Sequence, residues 1–181
     1  MKNTISKIIF IYRFKLLSLL FFVLSLMTTQ VLAHLMVAQH GTIKIIGNNA
    51  FIVFSLPVSA FEKIDDDGDN SLSSIEFEKY RSKIVDVVNQ NIKLIENNVS
   101  HSLEGVLLSP AIPHGNKDNS ARQLIVMGKF SINDSNHSIK LYVNLFGQKS
   151  AEQVLKVTVI QNNNLQKQKL LLTPDNPEKL I

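Results

Sequence analysis

The chain has no cysteine and no tryptophan. Without thiols there can be no disulfide, no zinc–thiolate centre, no c-type haem attachment and no cysteine nucleophile. A chain of 181 residues, 45% of them hydrophobic, can bury enough apolar surface to fold without such staples. A single domain with a substantial core is the first expectation. A long apolar run is also missing. The most apolar stretch, residues 16–27, is short for a membrane span, and Arg13 and Lys15 cut it off from the apolar residues before it.

That stretch reads instead as part of an export signal. Lys2, Lys7, Arg13 and Lys15 make the start positive, residues 16–27 are the apolar centre, and Val31-Leu32-Ala33 approximates the small–x–small cleavage pattern. Residues 1–33 are therefore expected to be a signal peptide, cut after Ala33. This would leave a secreted or periplasmic protein with no membrane span in the mature chain. The formal charge of +4 changes meaning with it: removing four of the nineteen basic residues leaves fifteen, against fifteen acidic ones. A neutral mature chain with no run of lysine or arginine does not read as a nucleic-acid binder.

From residue 42 onward short strand-like runs alternate with turns. Residues 42–46 and 50–56 flank Gly47-Asn48-Asn49, a hairpin turn by composition. Pro57 ends the second run and suits the first turn of a short helix at 58–64. A longer helix is expected from Ser74 to about Asn89, with Ser73 or Ser74 as its cap and Ile75, Phe77, Tyr80, Ile84, Val87 and Val88 as its apolar stripe. Strand patterns return at 92–95, 103–108, 124–130, 138–146, 154–160 and 169–172. Two of them alternate strictly: Ile139, Leu141, Val143 and Leu145 in one, Leu155, Val157 and Val159 in the other. The expected fold is mainly β: an antiparallel β-sandwich of about eight strands over residues 34–173, with a helix–loop–helix inserted at 58–88. Residues 174–181 read as a flexible tail.

Between the two expected helices lies Asp65-Asp66-Asp67-Gly68-Asp69-Asn70-Ser71-Leu72-Ser73-Ser74-Ile75-Glu76. Calcium takes about six to eight oxygens. A loop of about twelve residues wraps it when side-chain oxygens stand at positions 1, 3 and 5, a backbone carbonyl at 7, a direct or water-borne oxygen at 9 and a two-oxygen glutamate at 12. Counted from Asp65, those positions fall on Asp65, Asp67, Asp69, Ser71, Ser73 and Glu76, and the apolar residue at position 8 is Leu72. This register resembles the EF-hand calcium-binding loop, present as a single copy. The resemblance covers 58–88. It implies a helix on either side and one Ca2+ as the bound ion. The glycine usual at position 6 is replaced by Asn70, which reaches positive φ at modest cost, so a weakened site is expected. Magnesium wants a tighter octahedron, and an all-oxygen ligand set does not favour copper or zinc. Regulatory EF-hands usually work in pairs, as the resemblance implies. A lone loop behind a short first helix, with only Val58, Phe61 and Ile64 to hide, favours a structural pin over a switch.

Two other functional readings stand beside calcium. Cleavage after Ala33 would expose His34, whose terminal amine and imidazole could chelate copper, with His40 and Met36 nearby. The chain could also be a calcium-dependent protein-interaction module of the cell envelope, with Tyr142 on the polar face of its strand as a contact residue. His101, His114 and His137 are scattered and read as turn residues. The carboxylates outside the loop are dispersed and no nucleophile motif stands out, so an enzyme is not expected.

Overall fold

The computed structural model describes residues 38–113, 118–134, 138–161 and 167–181. The expected signal peptide, His34, Met36, His114 and His137 lie outside them. Residues 35–181 form a compact unit of their own, distinct from residues 1–34.

Strands β1 (His40–Ile46) and β2 (Asn49–Pro57) pair as a hairpin, and Gly47 takes the positive φ of 54° that its turn requires. One helix, α1 (Ser74–Asn91), follows. It leads directly into β3 (Ile92–Glu96), which turns through Asn97 and Asn98, both at positive φ, into β4 (Val99–His101). Then come β5 (Glu104–Pro110), β6 (Gln123–Ser131), β7 (Ile139–Val143), β8 (Leu155–Gln161), β9 (Lys167–Leu172) and β10 (Glu178–Leu180). They build a six-stranded sheet in the order β5-β6-β2-β1-β8-β9 and a four-stranded sheet in the order β10-β7-β3-β4.

Alternation along the strands makes the core. Ile43, Ile52, Val126 and Val157 from the larger sheet, and Leu94, Leu141 and Val143 from the smaller, are buried in one continuous cluster. Helix α1 adds Phe77, Ile84 and Val88 to it. Each such aliphatic side chain contributes roughly 1.5–3 kcal/mol on burial.

Several expectations are corrected. The described residues hold ten strands, not about eight, because β4 and β10 are three residues each and too short to show a period. Every strand pair is antiparallel except β1 with β8, which run parallel, so the sheets are only antiparallel-rich. The flexible tail at 174–181 is not loose. Glu178–Leu180 pairs with β7, Lys140 bonds Glu178 at 2.8 Å, and the Ile181 N–H donates to the Ile139 carbonyl. Ile75 does not belong to the apolar stripe and is 82% exposed. At about 100° per residue, it stands roughly 200° from Phe77, on the opposite side of the helix.

The inserted helix–loop–helix is not there. Among the described residues α1 is the only helix longer than three residues. Residues 58–64, where the first helix was expected, hold one 3-10 turn, Val58–Ala60, after which Phe61 is extended and Lys63 takes φ 57°. A left-handed residue interrupts any helical run, and seven residues are too few to offset helix nucleation. The spacing of Phe61 and Ile64 suits a helix, but both side chains reach the core along an irregular path. The EF-hand resemblance therefore fails: the described residues hold no helix–loop–helix at 58–88.

Candidate metal centre

Helix α1 starts at Ser73 with a reciprocal cap. The Ser73 hydroxyl accepts the Glu76 N–H, and the Glu76 carboxylate accepts the Ser73 N–H at 2.9 Å. Glu76 also takes the Ser73 O–H at 2.7 Å and, on its other oxygen, the Asp66 N–H at 2.7 Å. The side chain that caps the helix thus also ties down the start of the acidic loop, ten residues earlier in the chain.

The loop closes around Asp65. Its two carboxylate oxygens accept the N–H groups of Gly68 (2.7 Å) and Asn70 (2.8 Å). Asn70 stands at φ 61°, the left-handed turn expected of the sixth position. Leu72, at the eighth, is 1% exposed and makes a two-bond bridge with Ala121, at 2.8 and 3.0 Å. That bridge fastens the loop to the segment leading into β6.

The result brings carboxylate oxygens of Asp65, Asp67 and Glu76 within 4.8 Å of one another. Calcium–oxygen bonds of about 2.3–2.6 Å allow ligands of one ion to stand up to about 5 Å apart, so these three fit a single coordination sphere. Of the acidic ligands expected, Asp69 is not in that group. Asp69 accepts the Ser71 N–H at 2.7 Å, Ser71 is buried in the loop, and the Ser73 hydroxyl is committed to the helix cap. A cleft of about 330 Å³, lined by Lys63, Asp65, Asn70 and Gln148 among others, opens the loop to solvent.

The crowding shows in the acidities. The Asp69 N–H lowers the Asp67 pKa, but desolvation and the carboxylates of Asp65, Asp69 and Glu76 outweigh it, leaving Asp67 above its ordinary value. Burial pushes Glu76 upward, yet the bonds from the Ser73 hydroxyl and from the N–H groups of Asp66 and Ser73 bring it below the usual range. Asp66 is lowered by Lys79 and Tyr80, which bond its two oxygens at 2.7 and 2.5 Å. Lys83, one turn after Lys79, donates to the carbonyls of Glu62 and Lys63. Lys83 thus holds the backbone at Glu62 and Lys63, and Lys79 with Tyr80 holds the Asp66 side chain, where a first helix was expected. Lys79 and Tyr80, four and three residues before Lys83, each neighbour it on the helix surface, but only the folded path shows what those side chains grip.

Elsewhere, His40 is bonded to the Ala38 carbonyl at 2.8 Å. Tyr142 is half-buried, opposite Lys93 and Glu178. Glu96, which sequence alone gives no reason to single out, is buried and accepts the N–H groups of Asn133 and Asp134 and the Asn133 amide. The His101 ring nitrogen lies 3.0 Å from it, off the line of a good hydrogen bond. This carboxylate staples the 133–134 turn to the β3–β4 hairpin. No family model matches the chain, and no curated protein matches it.

Proposed function

We propose that the loop of residues 65–76 binds one calcium ion and that the ion is a structural pin in an exported protein. The observation that carries the reading is the convergence of Asp65, Asp67 and Glu76 within the span of one calcium sphere. Asp69, the Ser71 carbonyl and water would complete the ligands. A divalent cation would offset the desolvation and the carboxylate crowding that raise Asp67.

The structural role follows from what surrounds the loop. Leu72 and Ala121 fasten one side, and Asp66 with Lys79 and Tyr80 fastens the other. Among the described residues no first helix stands opposite α1 to swing away, so they offer the ion no helix pair to open. Calcium would lock the entry to α1 against the strands. The test compares thermal unfolding and binding of a hydrophobic dye with calcium and with chelator. A higher melting temperature without added dye fluorescence is expected. A calcium-dependent gain in dye fluorescence would overturn the structural role in favour of an interaction module.

A further inference from the structure

The six-stranded sheet buries one face in the core and leaves the other outside. On that outer face the register sets Lys129 opposite Phe51, Phe51 opposite Lys44, Lys44 opposite Ile160 and Ile160 opposite Lys167. In the neighbouring rows, Lys169 stands opposite Thr158, and Lys156 opposite Leu171. Side chains two apart share a face, so five lysines from four strands lie together. The outward positions of these strands carry one carboxylate, Glu104, which is 3.1 Å from Lys129. Lys44, Lys156, Lys167 and Lys169 have no acidic partner among the described residues. The lysines are dispersed along the sequence, and only the sheet gathers them. Residues 34–181 carry equal numbers of basic and acidic groups, so the excess on this face leaves the rest of the unit negative.

The face is also apolar. Phe51 is 44% exposed and Leu107 59%, with Val53, Ile46 and Leu171 similarly open. We propose that this face docks on an anionic lipid surface. Lysine stems can lie along Phe51 and the exposed aliphatic residues while their ammonium groups meet lipid phosphates, and those apolar side chains enter the interface. A nucleic acid would be served by arginine forks or several stacking rings. The outward positions hold no arginine and one aromatic ring, Phe51.

The lack of tryptophan gives a clean reporter. In the full chain, Phe51→Trp places one indole on the face, and Tyr142→Trp places one on the other sheet. Each is mixed with vesicles of phosphatidylcholine alone and with phosphatidylglycerol added. Emission from Phe51→Trp is expected to shift to the blue only with phosphatidylglycerol, and Tyr142→Trp is expected not to shift. Adding Lys44→Glu, Lys167→Glu and Lys169→Glu to Phe51→Trp is expected to weaken the response on the order of 100-fold. The indole reports contact of this face, so other attachment of the chain to vesicles does not mimic it. If the triple variant melts early, the two single reporters decide alone. The proposal is overturned by the absence of a phosphatidylglycerol-dependent shift at position 51, or by an equal shift at 142. A shift produced by a DNA duplex or polyglutamate but not by vesicles would also overturn it, and would reassign the face to an acidic polymer.

Discussion

Leu72 and Ile75 are neighbours in sequence and similar in volume, yet the fold treats them oppositely: 1% against 82% exposed. Leu72→Ala removes a buried side chain at the junction of the acidic loop and the segment before β6. Its backbone bonds to Ala121 would survive, so the loss is the transfer free energy plus the cavity, about 2–5 kcal/mol. For a unit of roughly 150 residues, each kcal/mol moves the midpoint by about 2–4 °C, so a fall of about 6–12 °C is expected for a 3 kcal/mol loss. Ile75→Ala uncovers nothing and should stay within about 0.5 kcal/mol. Thermal unfolding followed by far-ultraviolet circular dichroism, in chelator, measures both. Equal shifts for the two variants, or a Leu72→Ala midpoint within about 2 °C of the parent, would refute the anchoring of the loop through its eighth position.

Asn70 holds φ 61°, so Asn70→Ala is expected to be about 1 kcal/mol less stable than Asn70→Gly, with calcium affinity falling in the order glycine, asparagine, alanine. Paired melts and calcium titrations of the three proteins check this, and equal values would show that the turn does not matter. In chelator, Asp66 and Glu76, whose values are lowered, contribute stability above the unfolded carboxylate range and lose it as pH falls through their folded values. Asp67 has the opposite sign: its value is raised, so its contribution is present below the unfolded value and is lost as pH rises through the folded one. Calcium needs Asp67 ionised. Its stabilising increment should therefore disappear on acidification before Asp66 and Glu76 titrate, which melting curves across pH with and without calcium will show.

Strands with a long alternating pattern were legible in the sequence. The runs 138–146 and 154–160 overlap β7 and β8, because a period of two over five or more residues fixes both the element and its buried face, while 50–56 and 124–130 are short continuous apolar runs whose length suits a buried strand. Three-residue β4 and β10 have no period to read, and their pairing is decided by β3 and β7. The parallel β1–β8 pair joins segments over a hundred residues apart, and no local signal encodes that. At the site, Asp65, Asp67 and Glu76 belong to one short segment, and the structure has their carboxylate oxygens within 4.8 Å of one another. The missing first helix was not legible. Phe61 and Ile64 have helical spacing, and nothing in the sequence marks the positive φ that Lys63 takes, with Lys83 bonded to its carbonyl. Ser73 could serve as a ligand or as a cap by sequence, and the hydrogen bonds assign it to the cap.

Titration calorimetry with calcium, on the parent chain beside Glu76→Gln and Asp67→Asn, tests the central claim most directly. The structural pin requires one calcium per chain in the parent and at least a tenfold loss in each variant, while both variants keep the parent's far-ultraviolet spectrum. No heat of binding in the parent, or undiminished affinity in both variants, would contradict it and leave the three carboxylates as a hydrogen-bonded turn that caps α1.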